Sequence, residues 1–582
     1  MKKVIVLGGG VAGMSAAHEL AERGFSVEVY EHKTDYCGGK ARSVNVPDSA
    51  TNERKPLPGE HGFRFFPGFY KHVTDTMKRI PVSKNRSAFD NLTPTETITL
   101  GRFDKKPFKT LAHFPRNPEE VKFLVKNLFG AHLGLSREEE IFFGERVWQL
   151  MSSCKERRVN EYEGLGWWEY LQADRFSEAY QSLLVEGLTR TLVAAKAKTA
   201  STKTGGDIFL QLIYNTINPF VDVDRVLNAP TNDAWLNPWY THLTENLKVA
   251  YHFGSTVQKI EMKGREVDAV SIKTENGNRR VQGDYYIFCV PVERMAPLIS
   301  KEVLAADSTL STIKTLAPSV SWMNGLQVYL NQDVKISRGH VICSDSEWAI
   351  TCISQPQFWP GINLEKYGNG EVKGIISIDI SDWFTPGSNG KEASECTKQE
   401  IFDEVWHQLK KSLNTNAEVP LTDEMVVTWF LDSDIEIDGK PFPEPATPGT
   451  KRYSLNREPL LVNRVDTWAL RPEPYTNISN MFLASDYVKT NTDLATMEGA
   501  NEAARRAVNS ILAASGSKEK MCKIWDLHEP FILAPFRWAD KRRYKKGLPW
   551  QKHTGALGSV MISLMHLFSK ISRLFKGKKV KA

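Results

Sequence analysis

Residues 3–13 decide the fold, and their sequence is Lys3-Val-Ile-Val-Leu7-Gly8-Gly9-Gly10-Val11-Ala12-Gly13. The apolar run at the start is typical of a strand that is buried on both faces of a sheet. Gly8 would make a tight turn, Gly10 would let a pyrophosphate approach the backbone, and Gly13 would let the next helix pack closely on the strand. The helix-forming run Met14–Arg23 follows, and the free N–H groups near Ala12 at its start would attract phosphate. The stretch therefore predicts a dinucleotide site in an α/β fold.

A second strand and an acidic residue complete this nucleotide-binding pattern. Gly24 ends the predicted helix, Ser26–Tyr30 is a second apolar strand, and Glu31 follows it directly. An acid at this place accepts hydrogen bonds from an adenosine ribose and disfavours the 2′-phosphate of NADP. The alternative is a glycine turn without a ligand. The order of strand, glycines, helix, strand and acid within 31 residues argues against it.

The next loop distinguishes between nucleotide cofactors. Its sequence is Cys37-Gly38-Gly39-Lys40-Ala-Arg42-Ser43. It resembles the Gly-Gly-Arg/Lys signature of the superfamily that contains the FAD-dependent amine oxidases and phytoene desaturases. The resemblance implies that Gly38 and Gly39 approach the dinucleotide and that Arg42 meets its phosphates, with Lys40 as a second candidate. A basic surface loop is the alternative interpretation.

A matching motif lies near the other end of the chain. Met481-Phe-Leu-Ala-Ser485-Asp486-Tyr487 is an apolar strand that ends on an acid, and a small-residue helical pattern follows over residues 495–512. The pair resembles the C-terminal FAD motif of the same superfamily. The resemblance implies that Asp486 binds the ribityl–phosphate region and that Thr496 and Met497 lie at the isoalloxazine. Ser485 stands where the family usually has glycine, and the motif contains no cysteine, so we expect non-covalent FAD.

The cofactor domain is predicted to be discontinuous. The resemblance implies that the backbone of Val257, in the segment Phe253–Ile260, meets the adenine. We therefore expect an α/β (overall α+β) chain with a Rossmann-type FAD domain of the GR2 or p-hydroxybenzoate hydroxylase architecture and an inserted substrate domain. The predicted ranges are residues 1–80, 225–300 and 455–515 for the FAD domain, 81–224 and 301–454 for the substrate or cap domain, and 516–582 for a basic tail.

Residues 59–70, Gly-Glu-His61-Gly62-Phe63-Arg64-Phe-Phe-Pro-Gly-Phe-Tyr70, point to one branch of the superfamily. They resemble the His-x-Phe-Phe-x-x-Tyr stretch of phytoene and zeta-carotene desaturases and hydroxysqualene dehydroxylase. The resemblance implies that Gly62 and Phe63 cover the flavin. His61 is interpreted either as a proton carrier or as an anchor of the loop. Arg64 would either steady a flavin or substrate oxygen or serve as a core ion partner.

The leading functional hypothesis is an FAD-dependent dehydrogenase or desaturase that passes hydride from a long apolar, isoprenoid or carotenoid-like substrate to flavin N5. A flavin amine oxidase on a lipophilic amine and a flavin-dependent double-bond isomerase are the alternatives. The electron acceptor, quinone or oxygen, stays open. The segments Phe123–Phe129 and Ile208–Tyr214 either line an apolar tunnel or are ordinary core helices.

Cysteine usage and the start of the chain suggest the compartment. The seven cysteines are scattered singly without a CxxC pair, so we expect neither a metal site nor a disulfide framework. The first strand begins at Lys3, which leaves no room for a leader peptide. A reducing environment on the cytoplasmic side is the expected location.

The tail differs in charge from the rest of the chain. Residues 541–582 carry twelve Lys and Arg and no acid; since the whole chain carries +6 and this segment +12, residues 1–540 carry −6. Within about 556–576 an amphipathic helix is predicted, with its apolar face formed by Leu557, Met561, Leu564, Phe568, Ile571 and Phe575. We expect peripheral binding to an anionic membrane surface. Docking onto the protein itself or onto an oligomer partner is the alternative, and the apolar face disfavours nucleic acid.

Overall fold

The computed structural model describes residues 2–113, 120, 134–187, 196–216, 218, 220–415, 417, 419–437 and 454–552. The predicted amphipathic helix at about 556–576 and the segment Phe123–Phe129 lie outside the described residues.

A five-stranded parallel sheet forms the centre of the nucleotide-binding part. In spatial order its strands are Ala250–His252, Ser26–Tyr30, Lys3–Leu7, Tyr285–Phe288 and Met481–Leu483. The carboxyl ends of parallel strands meet at one edge, so the loops after Leu7, Tyr30, Phe288 and Leu483 converge there. The first strand and Ser26–Tyr30 have the bounds that the sequence predicts.

Two helices pack side by side on one face of this sheet. The helix Val11–Ala21 begins three residues earlier than predicted, since Gly10 already serves as its N-cap and Gly13 lies inside its first turn. The helix Met497–Ser515 lies against it, and the Asn501 amide donates to the Ser15 hydroxyl at 2.8 Å. Small side chains such as Ala16 and Ala507 are buried between the helices, which permits the close approach.

A seven-stranded sheet, called the large sheet below, faces the cavity from the other side. In spatial order its strands are Val426–Leu431, Asn324–Leu330, Gly374–Ile380, Ile350–Ser354, Val341–Cys343, Thr97–Arg102 and Lys105–Leu111. The helix Lys398–Leu413 packs on it and begins at a capping box of Thr397 and Glu400. The loop before Phe63 contacts this sheet directly, because Gly325 N–H donates to His61 O at 2.6 Å and the Tyr329 hydroxyl donates to Pro58 O at 2.8 Å.

The remaining elements support these two sheets. A three-stranded antiparallel sheet consists of Thr256–Lys263, Glu266–Thr274 and Gly277–Val281. A helical part consists of Arg137–Ser152, Lys155–Asn160, Trp167–Tyr170, Thr202–Thr216 and Ala534–Tyr544. Shorter strands are Ser43–Asn45, Pro58–Glu60, Pro81–Ser83, Arg86–Ser87, Leu92–Pro94, Arg225–Leu227, Val320–Ser321, Ile435–Ile437, Ser454–Asn456 and Leu460–Leu461. Shorter helices are His72–Met77, Glu178–Tyr180, Asn237–Thr241, Val292–Met295, Lys301–Ala306 and Ser311–Leu316.

The helix Thr202–Thr216 settles one of the alternatives from the sequence. Ile208 is buried in the core beside the parallel sheet, while Leu210 and Tyr214 are buried in the helical core. Ile208–Tyr214 is therefore part of a core helix and lines no part of the cavity described below. Among the described helices, none combines the length and the apolar character that a membrane crossing would need.

Candidate functional site

A cavity of about 300 Å³ lies at the carboxyl edge of the parallel sheet, between that sheet and the large sheet. Both ends of the chain contribute to it. The predicted residues that line it are Gly8, Gly10, Ala12, Glu31, Gly38, Gly39, Lys40, His61, Gly62, Phe63, Arg64, Asp486, Thr496 and Met497. The first forty residues and the segment around 486–500 thus share one cavity, although some 450 residues separate them in sequence.

The glycine loops leave room for a phosphate group at the start of the first helix. Gly8 and Gly39 have φ angles of +106° and +59°, which side chains rarely tolerate. A Cβ on Gly39 would lie 3.1 Å from Gly10 Cα, so a side chain there would crowd the loop. Gly10 offers no side-chain cap, and Val11 and Ala12 face the cavity, so the helix presents its free N–H groups and positive dipole end to the cavity. A pyrophosphate fits this arrangement.

Glu31 is held in place at the end of its strand. Its carboxylate accepts hydrogen bonds from Gly9 N–H at 2.6 Å and from Lys33 N–H at 2.8 Å. The neighbouring His32 also contacts it, with 2.7 Å between Nδ1 and Glu31 Oε1. Burial alone would lower the pKa of His32, but hydrogen bonds with Glu31 and Glu458 raise this pKa to about 9. This end of the cavity therefore combines a fixed acid with a cationic imidazole.

Three of the predicted residues, Gly13, Val257 and Arg42, do not line the cavity, and for Gly13 this agrees with the packing role that the sequence predicts. Gly13 lies behind the loop, where a Cβ would stand 1.8 Å from Gly8 O, so it serves helix–strand packing. Val257 begins an antiparallel strand and packs against the core on the far side of the parallel sheet. Arg42 is 1% exposed and turns away from the cavity.

Arg42 is an internal ion partner instead of a phosphate contact. Its guanidinium donates to Gly39 O at 3.0 Å and forms ion pairs with Asp434 and, at 3.5 Å, with Asp432. His61, Asp432 and Asp434 place ligand-type atoms within 4.8 Å of one another, and Arg42 supplies positive charge to the two carboxylates of this group. Of the two basic candidates in the loop, Lys40 is the one that faces the cavity.

The second helix starts at the other end of the cavity. Its N-cap, Thr496, accepts a hydrogen bond from Gly499 N–H at 3.2 Å, and Thr496 and Met497 both line the cavity. Asp486 lines it as well, and its backbone carbonyl accepts from the Arg471 guanidinium at 2.8 Å. A helix N-terminus here favours negative charge on a bound group, as the sequence interpretation requires.

The loop 59–70 brings polar groups between the two sheets. His61 lines the cavity, and its Nδ1 lies 2.6 Å from Asp432 Oδ2. His61 therefore both contacts an acid of the protein and faces the cavity, so the roles of loop anchor and of proton carrier both stay open. The Arg64 guanidinium donates to Gly62 O, at 2.9 Å from Nε, and burial lowers the pKa of Arg64.

The sequence interpretation missed several lining residues from the large sheet and from residues 458–463. The most notable is Asp379, on the strand Gly374–Ile380. Burial raises the pKa of Asp379 to about 7, although the neighbouring Arg64 opposes the rise. The available signal was an acid inside an otherwise apolar strand, Gly-Ile-Ile-Ser-Ile-Asp379-Ile380, since a buried acid needs a structural or chemical reason. Glu458 and Asn463 also line the cavity.

Sequence comparison assigns this geometry to a known family. The profile of flavin containing amine oxidoreductases matches residues 11–512, which include Gly38 and Gly39, the loop 59–70 and the second helix start. The chain belongs to this family. As a flavin containing amine oxidoreductase it is an FAD-dependent oxidoreductase, and the cavity residues described above are those available to bind FAD. All seven cysteines are buried, and none of them forms a disulfide.

Individual relatives are similar over short segments. The chain is 46% identical over 46 residues to a 1-hydroxycarotenoid 3,4-desaturase of Flavobacterium sp. (strain P99-3), covering 8% of this chain and 9% of that protein. It is 32% identical over 144 residues to a flavin-dependent L-tryptophan oxidase of Lentzea aerocolonigenes, covering 25% and 28%. These matches span less than a third of either relative. An oxidoreductase of Methanosarcina mazei has a similar fold, with a TM-score of 0.55 at 14% identity over 88% of this chain and all of that one.

Proposed function

We propose that this flavoenzyme is a dehydrogenase or desaturase of a long apolar substrate, isoprenoid or carotenoid-like in character. The observation that carries the proposal is the apolar part of the cavity wall. This part consists of Phe63, Phe65, Met323, Leu460, Leu461 and Val462. A substrate without charged groups would lose little hydration on entering such a wall, and shape would then position the reacting bond. The desaturase segment that matches this chain supports the same substrate class.

The large sheet is the proposed substrate domain. Its strands come from residues 97–111 and 324–431, which fall in the two predicted insertions, and it contributes Asp379 to the cavity wall. Met323 precedes the strand Asn324–Leu330 and also lines the cavity. A substrate bound here would lie between this sheet and the loop 59–70.

FAD, when bound, supplies the hydride acceptor for such a reaction. The chain supplies the surroundings. Phe63 and Phe65 give the cavity aromatic lining. The start of the helix Met497–Ser515 would favour negative charge on a bound flavin, and Arg64 places a positive charge in the cavity wall.

An amine oxidase is the second candidate function. A buried carboxylate in the cavity, such as that of Asp379, would pair with a substrate ammonium, and the L-tryptophan oxidase segment is consistent with that chemistry. A double-bond isomerase is a further alternative, in which the substrate and product have the same mass.

Anaerobic mixing of the purified protein with substrate panels tests these functions. We expect the visible absorbance of oxidised flavin to bleach with carotenoid-like isoprenoids in detergent, and the product to lose two hydrogens by mass spectrometry. Bleaching by lipophilic amines alone would transfer the assignment to amine oxidation. Conversion of an isoprenoid to a product of unchanged mass would assign isomerisation.

We further propose that the protein binds an anionic membrane surface, on the cytoplasmic side. Close to the start of the basic tail, Phe531, Ile532 and Trp538 are 90%, 62% and 61% exposed, which is unusual for large apolar side chains. The helix Ala534–Tyr544 ends with Lys541, Arg542 and Arg543. Exposed apolar groups beside clustered basic ones are the combination that interfacial binding uses. An apolar substrate would also concentrate at a membrane.

Vesicle sedimentation measures this binding. The double variant Phe531→Ser, Trp538→Ser should bind phosphatidylserine-containing vesicles at least about tenfold more weakly, because each lost aromatic side chain removes roughly 1.5–3 kcal/mol of apolar burial. Tyr475→Ser, which removes an aromatic side chain that is 58% exposed beside the parallel sheet, is the matched control and should bind like the wild type. Equal vesicle binding by the double variant and the wild type would contradict the membrane proposal. The proposal would also be contradicted if the wild type forms dimers in solution and the double variant is a monomer.

A further inference from the structure

Asp379 has a carboxyl oxygen without a protein partner, as Asp224 beside the loop 59–70 also has, but of these two acids it is Asp379 that lines the cavity. Its side chain is 5% exposed and lines the cavity. Within the described part of the chain, Oδ1 has no hydrogen-bond partner. A buried polar oxygen without a partner costs roughly 1–3 kcal/mol, so such an atom in a cavity wall indicates a ligand or a chemical role.

The loop holds the carboxyl group against the cavity. A Cβ on Gly62 would lie 2.8 Å from Asp379 Oδ1, so the absence of a side chain at Gly62 allows the carboxyl group to lie this close to the loop. The backbone N–H of Phe63 acts on the carboxyl group in the direction that lowers its pKa, against the larger effect of burial. Arg64 lies near enough to act on it electrostatically, but its guanidinium donates to Gly62 O. Asp379 is thus fixed between the apolar wall and the loop without a direct ion pair in the described structure.

Glu60 provides an internal comparison. Burial raises the pKa of Glu60 to about 7, as it does for Asp379. However, Glu60 does not line the cavity, and its two oxygens accept from Thr231 N–H at 2.9 Å and from the Thr231 hydroxyl at 2.8 Å. Two carboxyl groups of similar acidity therefore have different surroundings, and Asp379 is the one available to a bound molecule.

We propose that Asp379 Oδ1 is the base that removes the substrate proton in the oxidation. The inference rests on the proposed dehydrogenase function. FAD, when bound, would supply the acceptor for the hydride of one substrate carbon. Asp379 Oδ1 would take the proton of the neighbouring carbon, and the electron pair of that second C–H bond would form the new double bond. The carboxylate returns to its charged form when this proton passes to solvent.

Several charged groups surround Asp379 and influence its pKa. Arg64 and Glu60 of the loop 59–70, His340 before the strand Val341–Cys343, and Asp432 after the strand Val426–Leu431 act on it electrostatically. Burial is the largest influence and raises the pKa of Asp379 to about 7. Because the reaction needs the ionised carboxylate, the rate of substrate oxidation should rise with pH through about 7 and then level off.

Asp379→Asn tests the assignment, since asparagine keeps the size and removes the titration. With a substrate that bleaches the wild-type flavin, single-turnover bleaching should slow by about a hundredfold or more, and the rise with pH should disappear. FAD content should match the wild type, which shows that the variant folds. The control variant Glu60→Gln removes the other carboxyl group of raised pKa. Its rate of flavin bleaching should still rise with pH as in the wild type. Unchanged rate and pH dependence in Asp379→Asn would overturn the base role and leave the dehydrogenase function standing.

A second measurement does not depend on turnover. In flavin-free protein, infrared difference spectra between low and high pH should contain protonated carboxyl absorption that titrates near 7 and comes from both Asp379 and Glu60. This band should be weaker in Asp379→Asn and absent in the double variant Asp379→Asn, Glu60→Gln. If the Asp379 contribution to this band is present but no isoprenoid bleaches the flavin, the proposed dehydrogenase function is wrong. The finding that Asp379 is a titrating acid would then still hold. If the band is the same in the wild type and in Asp379→Asn, Asp379 is not a titrating group and the base role is wrong.

Discussion

Replacing Gly13 with alanine should cost the protein most of its affinity for FAD. The added Cβ would stand 1.8 Å from Gly8 O and 3.0 Å from Gly8 C. Both contacts are with backbone atoms, which no side-chain rotation can relieve, so the helix Val11–Ala21 must move away from the first strand. The glycine loop between them would lose its shape. Overpacking of this kind costs roughly 3 kcal/mol, which corresponds to about a hundredfold weaker FAD binding.

Titration of flavin-free protein with FAD, followed by flavin fluorescence, measures this loss. Gly144→Ala is the matched control, because a Cβ there meets nothing within 4 Å and the position lies inside the helix Arg137–Ser152. That variant should bind FAD normally and gain roughly 1 kcal/mol of stability from helix propensity. Wild-type FAD affinity in Gly13→Ala would show that the loop tolerates separation of helix and strand.

Replacing Glu498 with alanine should destabilise the fold by at least about 4 kcal/mol. The Glu498 carboxylate is 1% exposed and accepts from the backbone N–H groups of Lys71, His72 and Val73 at 2.8–2.9 Å. It also lies 2.7 Å from His72 Nδ1. Alanine would leave three backbone donors at the start of the helix His72–Met77 without partners, two of them buried and one partly buried, at roughly 1–3 kcal/mol each.

Chemical denaturation in the presence of saturating FAD measures the stability loss. The control is Glu519→Ala, at an exposed position just beyond the helix Met497–Ser515, and it should change the free energy of unfolding by less than about 0.5 kcal/mol. Because Glu498 follows Met497 directly, we also expect the destabilised variant to lose FAD more readily. A stability loss below about 1 kcal/mol in Glu498→Ala would contradict this prediction. It would mean that water satisfies the N–H groups of residues 71–73 and that Glu498 does not hold the helix His72–Met77 to the helix Met497–Ser515.

The fold was predictable where the signal is local. The first strand, the strand Ser26–Tyr30 and the glycine turn follow from apolar patterning and from backbone angles that only glycine adopts easily. The helix start was placed three residues late, because a helix that begins on Gly10 without a capping side chain has no N-cap signal in the sequence. The C-terminal strand is shorter than expected and ends at Leu483.

Charged residues were assigned less well. Arg42 and Lys40 are two positions apart; the sequence ranked Arg42 first as the phosphate contact, whereas Lys40 is the one of the two that lines the cavity. The reason lies in Asp434, an ion partner 392 positions away that holds Arg42 inside the protein. Asp379 was missed for a related reason, since its strand reads as ordinary buried core until the loop 59–70 is folded against it.

The sequence by itself determined the nucleotide-binding unit, because glycine turns and buried strands follow from short-range backbone and patterning constraints. The resemblance of its motifs to one flavoprotein family added the FAD dependence and the pairing of motifs from both chain ends. Only the tertiary structure decided which acids and bases face the cavity. Burial and ion pairing set the chemistry of Arg42, Glu60 and Asp379, and both depend on partners that the chain brings together from distant segments.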